Sequence, residues 1–415
     1  KDSMIDYVMA NIPSSDADDA VAVEDKLCFQ TESGLMQEVV LTAQGQNVIT
    51  LSGMRISQNT TLDATKPYRV MDSLVVERGA ELTLAPGTRF LFHNKAALIV
   101  HGTLHIDGSR EKPVTLRGDR LDLMFKNQPY DRTPGLWDGI VLKSQSYGNT
   151  INYADIHSST NGLCADSSDI SRLKLKMENS IIHNTTNHAL NLRMANVFVG
   201  NSQITNAGGD CVHVRGGDVS LVHCTVGRFY VFTGGYGHAL DFANFDGDVR
   251  LPLHKLYVAN SIVTGYQDDE IIGGQNTDFE NDAVNYNFAY SLLDTPQPEK
   301  PDDRIESCLW DTRSTDQTEA DSIVHDKNFT PAFNVDHLLF YFTLSPYSPA
   351  VGQASPSISQ QYYPYDRTGA PRTARPDMGC YNHAETAETP KLTTTAAPHV
   401  SSTHCVQSLK PTRKE

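Results

Sequence analysis

The sequence predicts an all-β protein built as a parallel β-helix, a solenoid in which each coil of the chain stacks on the one before. Two observations predict this fold. One short pattern recurs along the chain at intervals of about one coil. Short runs that alternate apolar and polar residues are separated by glycine and asparagine, which is typical of strands joined by tight turns. No useful helical periodicity appears after residue 50.

The recurring pattern is a polar or aromatic residue, a small residue, a variable residue and an aliphatic residue. Its six copies begin at Tyr153, Asn179, Asn201, His223, Asn260 and Tyr290. The small residues that follow are separated by steps of 26, 22, 22, 37 and 30 residues. A step of 22 residues suits one coil of a β-helix, and the longer steps indicate insertions in the turns.

A shared coil length predicts which residues stack on one another. One column of small residues is predicted, made of Ser180, Ser202 and Cys224. A second column, of core aliphatic residues, is Ile182, Ile204 and Val226. Upstream, Gly79–Leu84 and Gly102–Ile106 repeat with a step of 102 − 79 = 23 residues, so the same architecture is expected there.

The solenoid is predicted to span residues 48–383, including a closing segment at its C-terminal end. Residues 1–47 contain three alternating runs, Ile5–Ile12, Ala20–Phe29 and Met36–Ala43, which predict a fragment of a β-sandwich. Residues 384–415 are rich in Thr, Ala, Pro and Ser and are expected to form a disordered tail. No signal peptide is visible at Lys1, so we expect the natural N-terminus to be missing.

Composition and charge exclude several classes of function. The 415 residues carry 34 Lys and Arg against 50 Asp and Glu, a formal charge of 34 − 50 = −16, which argues against nucleic-acid binding. No apolar run approaches the ~20 residues needed to span a bilayer. The 7 cysteines are scattered, without the Cys and His spacing of a structural zinc site, so neither a metal nor a cofactor is predicted.

Several runs resemble the right-handed parallel β-helix proteins of the pectin-lyase-like superfamily. In the solenoid they are Tyr68–Thr88, Val114–Leu121 and Gly135–Ile140. The closing segment resembles the ends of such solenoids at Ser348–Gly352, Asp366–Arg372 and Pro376–Tyr381. Val23–Phe29 and Val39–Gln46 resemble the last strands of the immunoglobulin-like module that precedes the helix in related proteins.

More narrowly, the chain is similar to cell-envelope lipoproteins of Gram-negative bacteria. The resemblance implies a right-handed coil, an immunoglobulin-like origin for residues 1–47, and a place at the cell surface, at the outer membrane or outside the cell. It does not choose a function, because the superfamily includes lyases, hydrolases, epimerases, adhesins and non-catalytic shells.

A candidate site follows from the stacking. If Leu190 and Leu192 point into the core, Asn191 and Arg193 point outward, because successive side chains of a strand alternate between its two faces. One coil later, the strand starting at Val212 repeats this arrangement, and the strands at Leu163 and Leu240 extend it, with Cys164 beside the column. The predicted outward column contains Asp166, Arg193, His213, Arg215 and Asp241.

Two arginines stacked ~4.8 Å apart repel unless an anion or Asp166 lies between them. Such a pair would suit a uronate carboxylate or a sulfate. The column could also be a solvated ladder whose arginines are neutralised by local acids. The candidates for substrate binding are Asp166, Arg193, His213 and Arg215, and the candidates for catalysis are His213, Arg215 and Asp241.

Three other signals are weaker. Gly237-His238-Ala239, Asp268-Asp269-Glu270 and Asn276-Thr277-Asp278 resemble the motifs of polygalacturonan hydrolases but occur in reverse order, and the acidic run is more simply a solvated corner. Asn244–Asp248 loosely resembles a calcium loop without the distal Glu, so a polar turn is favoured over a Ca²⁺ site. Trp137 could stack a sugar but is assigned to the core.

Two functional hypotheses therefore stay open. The first is a non-catalytic surface or secreted protein that binds a glycan or another envelope component. The second is a polysaccharide lyase or glycoside hydrolase that acts on an acidic glycan, with an Arg neutralising the carboxylate and His213 or an Arg serving as the base. The missing catalytic order of known motifs favours the first hypothesis.

Overall fold

A computed structural model describes residues 20–31, 33–125, 127–232, 234–279, 281–311, 328–383 and 400–401 of the chain. These residues form an all-β structure whose strands pair in parallel from coil to coil, which confirms the predicted solenoid. A complete coil places strand residues on each of three faces, whereas the last coil of the described chain, after Leu292–Leu293, has no strand on the second face. We number the faces in the order in which a coil meets them.

The first face is an 11-stranded parallel sheet. Its strands are Ile49–Leu51, Tyr68–Val70, Arg89–Phe92, Val114–Gly118, Ala154–His157, Ile181–Thr185, Gln203–Ala207, Thr225–Arg228, Ile262–Gly265, Leu292–Leu293 and Leu309–Trp310.

The second and third faces belong to one 17-stranded sheet, because the long strands Leu190–Gly200 and Val212–Val222 run through the bend between them. The other strands of the second face are Arg55–Ile56, Leu74–Val76, Ala97–Val100, Gly139–Leu142, Leu163–Ala165, Leu240–Ala243 and Ile271–Gly274. Those of the third face are Thr60–Leu62, Glu81–Leu84, Thr103–Asp107, Asn149–Asn152, Leu175–Glu178, Leu253–Ala259, Val284–Ala289 and Ile305–Glu306.

The connections between the strands of the solenoid contain short hairpins and helical turns. Leu123–Phe125 pairs with Gln128–Pro129, and Phe245–Asp246 pairs with Val249–Arg250, each as a small antiparallel hairpin. Three 3₁₀ turns cover Tyr130–Arg132, Thr277–Phe279 and Val335–His337, and a short α-helix covers Pro356–Tyr362. No helix of the described residues is long and apolar enough to cross a membrane.

The recurring pattern of the sequence marks one corner of the coil, where the third face turns into the first. The polar or aromatic residue that opens each copy has a left-handed backbone, with φ of 51° at Asn179 and 50° at Asn201. Asparagine tolerates this conformation better than most residues. At Tyr153, His223 and Tyr290 φ is also positive, so the surrounding coils must impose the turn there.

The small residues that follow form a ladder of hydroxyl groups. The backbone N–H of Ser180 donates to the hydroxyl of Ser202 at 3.1 Å, and the N–H of Cys224 donates to the hydroxyl of Ser261 at 3.0 Å. The hydroxyls of Ser202 and Ser261 in turn donate to carbonyls within their own coils. This corner is buried, so each polar atom needs such a partner. The predicted column of small residues is therefore confirmed.

The core lies between the three faces and is almost wholly aliphatic. Ile182 pairs with Ile204, and Ile204 pairs with Val226, so the second predicted column is also confirmed. All three side chains are fully buried. Trp137 belongs to this core, as expected: its ring stacks on Phe92 with centroids 4.1 Å apart.

The regions outside the solenoid are described in part. Val21–Gln30 and Met36–Gly45 pair as an antiparallel hairpin close to two of the predicted strands, and Val400–Ser401 adds a short parallel strand to it. The predicted strand Ile5–Ile12 lies outside the described residues. So does the predicted disordered tail, apart from those two residues. The β-sandwich fragment and the tail stay predictions.

Residues 328–383 fold back along the solenoid and pack on the corner between its third and first faces. The hydroxyl of Tyr363 donates to Glu178 at 2.7 Å, and the buried His223 ring contacts Ser359 at 2.8 Å. Arg372 is buried and donates to Asn201 at 3.0 Å. The closing segment thus covers the left-handed corner of several coils.

Replacing Ile204 with Asp should destabilise the solenoid by several kcal/mol, because an unpaired carboxylate would be buried between two coils. Ile99→Asp is a matched control, since Ile99 points outward from its strand and is partly exposed. Thermal or urea unfolding of both variants measures the difference. Equal, small effects would contradict the assigned core.

Candidate functional site

The predicted outward column is present on the second face. Cys164 pairs with Asn191, Asn191 with His213, and His213 with Asp241, on successive coils. Arg193 pairs with Arg215 in the same register. Residues that are 22 to 28 positions apart in the chain therefore become direct neighbours on the surface. The stacking inferred from the sequence is confirmed here, whereas the binding role of the column stays a prediction.

Each cation of this face has an acid nearby, but the pairs differ from those expected. Asp166 does not separate the two arginines; its carboxylate lies 3.2 Å from the ammonium of Lys143. Arg215 donates two hydrogen bonds of 2.9 Å to Asp241, one to each carboxylate oxygen. Repulsion between the stacked arginines is thus offset by acids that the strand register and a nearby turn bring in.

Arg193 is the weakly paired member. Among the described residues its ion-pair partner is Asp246, at 3.5 Å, on an exposed hairpin two coils further along the solenoid. Its Nε is buried and has no hydrogen-bond partner among the described residues. Arg193 therefore keeps donor capacity that Arg215 has largely used.

A buried carboxylate, Asp210, organises a second part of the site at the turn between the first and second faces. Its side chain is only 5% exposed. Burial alone would raise the pKa of this carboxyl, but its interactions with His188 and His213 and the hydrogen bond from the backbone N–H of His238 outweigh it and hold the pKa below its usual range. Asp210 is therefore ionised at neutral pH and can only accept hydrogen bonds.

This ionisation fixes the proton on His213. Its Nδ1 lies 2.7 Å from Asp210 Oδ2, so Nδ1 carries a proton and donates a hydrogen bond to the carboxylate. In the tautomer with this single ring proton, the lone pair is on Nε2. No described residue forms a hydrogen bond with that nitrogen. A carboxylate that orients a histidine in this way is the arrangement of a general base.

Two further histidines surround Asp210. His188 stacks on His213 with ring centroids 4.2 Å apart, and its Nδ1 accepts a 3.0 Å hydrogen bond from the backbone N–H of Asp210. The backbone N–H of His238 donates to Asp210 Oδ1 at 2.8 Å. A Cβ on Gly237 would lie 2.1 Å from the carbonyl carbon of Gly209, so glycine is required where these two turns meet.

An aromatic residue completes the rim. Tyr236 is 63% exposed and meets His188 edge-on, with ring centroids 6.4 Å apart. A large exposed aromatic ring beside polar groups is a common feature of binding surfaces. The site therefore combines an ion-paired arginine, an oriented histidine and an aromatic platform.

The coil repeat predicts which strand residues stack, but it did not predict the residues that the turns contribute to this site. His188, Asp210, Tyr236 and His238 lie in turns, where insertions destroy a fixed register. One signal was available, because Asp210 follows His188 by one 22-residue step and lies three residues before His213. The closely approaching glycines Gly209 and Gly237 marked the same turns.

The weaker candidates resolve differently. Glu270 does not form a solvated corner: its side chain is fully buried and accepts hydrogen bonds from the backbone N–H groups of Ala239 and Gln267. The expectation was wrong for Glu270, because this carboxylate caps two turns of the coil, whereas Asp268 is exposed as expected. Asn244 is buried too, and Asp246 lies in a small hairpin beside Arg193. The calcium alternative at Asn244–Asp248 stays a prediction.

Among the residues that the structure describes, two groups of three side chains bring potential metal ligands within 4.8 Å of one another. One is His188, Asp210 and His213, described above. The other is Asp155, His157 and His183 on the first face. In the first group the backbone N–H of Asp210 already occupies the lone pair of His188 Nδ1, which makes it a hydrogen-bonding cluster rather than a ligand set.

A scan against models of protein families finds no match to this chain, and a search of curated proteins finds none either.

Asp210→Asn should lower the free energy of unfolding at pH 7 by about 1.5–3 kcal/mol, because charge-assisted hydrogen bonds are lost. The native pKa of Asp210 is lowered, so its contribution is complete above the unfolded pKa of ~3.9 and is lost as the pH falls below it. The difference in free energy of unfolding between wild type and Asp210→Asn should therefore be smaller at pH 3 than at pH 7. Urea unfolding at both pH values measures it.

Asp246→Asn is the control, because this carboxylate is 52% exposed and makes one long contact. It should change stability little at either pH. If Asp210→Asn lowered the free energy of unfolding by the same amount at both pH values, the assigned ionisation of Asp210 would be contradicted.

Proposed function

We propose that the second face binds an acidic polysaccharide and that the protein presents this face at the surface of the cell or outside it. One observation carries the proposal: two arginines stack in register on neighbouring coils, and the only acid that pairs with Arg193 in the described part of the chain is 3.5 Å away. A carboxylate or sulfate on a sugar would supply the close anion that Arg193 lacks.

Arg215 also keeps unused donors. A guanidinium has five N–H groups, and Arg215 uses two on Asp241 and one on the carbonyl of Val214. The remaining groups can donate to hydroxyl or acidic oxygens of a ligand. Because Asp241 holds the guanidinium in place, little side-chain entropy would be lost on binding.

The solenoid supports an extended ligand. Coils repeat every ~4.8 Å, so polar side chains recur at short intervals along the face. Tyr236 offers an apolar ring at the rim of the Asp210 cluster, where a sugar ring could pack. These features suit a chain of sugars better than a compact small molecule.

Several sequence segments of the solenoid resemble the pectin-lyase-like superfamily and, more narrowly, envelope lipoproteins of Gram-negative bacteria. This resemblance supports a location at the cell surface or outside the cell. On the same basis the ligand could be another envelope component. A protein partner of the envelope would need a larger contact surface than the arginine pair, so glycan and protein ligands are separable by experiment.

Arg193→Ala should weaken binding of an acidic polysaccharide such as polygalacturonate or alginate roughly ten- to a hundredfold, because one charge-assisted contact of ~1.5–3 kcal/mol is lost. Added salt should weaken the wild type more than the variant. Calorimetry or glycan arrays at low ionic strength measure both effects.

The matched control is Arg55→Ala, since Arg55 lies on the same face near the N-terminal end of the solenoid. This variant should bind like wild type. Failure of the wild type to bind any acidic glycan at low salt would refute the proposal.

A second candidate function, a polysaccharide lyase, is favoured by the Asp210–His213 pair. In β-elimination, Nε2 of His213 would take the proton from the carbon next to the uronate carboxylate. The electron pair left behind would form a double bond as the adjacent glycosidic C–O bond breaks, and the departing oxygen would take a proton from water. Arg215 would stabilise the charge that develops on the carboxylate.

His213→Ala should then abolish formation of unsaturated products, with at least a hundredfold loss of turnover and little change in glycan affinity. His101→Ala is the control, because His101 lies in a turn several coils away from the site. Ultraviolet absorbance of the products measures turnover. Binding without turnover in the wild type would reject the lyase and leave the binding function.

A further inference from the structure

We infer that Asp155, His157 and His183 form a binding site for a divalent transition-metal ion of the zinc class on the first face of the solenoid. The inference is independent of the glycan proposal, since it concerns another face and other residues.

The register of the coils assembles the three ligands. Asp155 and His157 are two residues apart on the strand Ala154–His157, so their side chains leave the same side of the sheet. His183 pairs directly with His157 on the next coil. The two imidazole rings stack with centroids 4.7 Å apart, and the carboxylate lies beside them.

The distances fit a metal ion. His157 Nδ1 lies 2.9 Å and His183 Nε2 lies 3.2 Å from the same oxygen, Asp155 Oδ1. Ligands that bind one ion at ~2.1 Å are separated by about 3.0 Å in an octahedron and about 3.4 Å in a tetrahedron. Small ring rotations would therefore suffice to point both nitrogens at a shared ion.

The ligand atoms are not committed to the backbone. Within the described chain, no backbone N–H donates to the Asp155 carboxylate or to the facing nitrogens of His157 and His183. The cluster around Asp210 differs on this point, because backbone N–H groups of Asp210 and His238 occupy its acceptors. The same residue types thus form a ligand set on the first face and a hydrogen-bonded network at the turn.

The site can be reached from solvent and leaves room for a further ligand. The side chains of Asp155 and His183 are 33% and 25% exposed. His183 also lines a cavity of about 330 Å³ between the first face and residues 338–343, together with Gln203, Thr205 and Tyr381. Two imidazoles and one carboxylate are typical ligands of zinc and related ions, with water in the open position.

The chemistry of binding is simple. For the lone pairs of His157 Nδ1 and His183 Nε2 to face the ion, the proton of each ring must lie on its other nitrogen. The Asp155 oxygen that both rings already contact would be the third ligand. The bound ion would take the place of the two hydrogen bonds that His157 and His183 donate to Asp155 Oδ1.

The test uses the full chain after treatment with a chelator. Equilibrium dialysis should find one Zn²⁺ per chain, and Co²⁺ should give the visible absorption of a nitrogen- and oxygen-ligated ion. His183→Gln and Asp155→Asn should each weaken Zn²⁺ binding at least tenfold. Thermal unfolding without metal checks that both variants fold. If His183→Gln does not fold, the conservative Asp155→Asn still provides the test.

His213→Gln is the matched control and should bind Zn²⁺ like wild type, because it changes only the Asp210 cluster. Zn²⁺ should also raise the melting temperature of the wild type and of His213→Gln but not of Asp155→Asn. Unchanged affinity in folded Asp155→Asn, loss of binding in His213→Gln, or no binding by the wild type at millimolar Zn²⁺ would each overturn the inference.

Discussion

In-register stacking of the coils is the constraint on which the whole structure depends. Each strand of an inner coil satisfies its backbone groups on the coils before and after it, so a slip of one residue would turn apolar side chains outward along an entire strand. The corner between the third and first faces pins this register. There a left-handed residue such as Asn179 is followed by a small residue, Ser180, whose backbone N–H donates to the hydroxyl of Ser202 on the next coil.

That constraint also builds the candidate site. The strand register brings residues that are far apart in the chain into contact on neighbouring coils. His213 therefore lies beside Asp241, and Arg215 lies beside both Arg193 and Asp241. A stack of like charges on neighbouring coils is costly, and acids on the next coil or in a nearby hairpin reduce that cost. The surface is thus a chain of local ion pairs rather than a uniformly basic stripe, and only Arg193 is left weakly paired.

The two Asp and His clusters show how backbone context changes the chemistry of the same side chains. Asp210 lies in a turn, where nearby backbone N–H groups bond to it and to His188 and fix the ring tautomers. Asp155 lies in a strand, where the backbone bonds to neighbouring strands and leaves the carboxylate to two histidines. One arrangement suits an oriented base, and the other suits a metal ligand set.

The amino-acid pattern was enough to predict the solenoid, its coil length, the core column through Ile204 and the outward column through His213. These predictions follow from local rules, namely alternation along a strand and a repeat that survives from coil to coil. The partners at the turns became known only from the folded chain. The spacing did not predict the pairing of Asp166 with Lys143, the burial of Glu270, or Asp210 at the centre of the site. Turns vary in length and close on one another in space, so their contacts are set by packing rather than by a period along the chain.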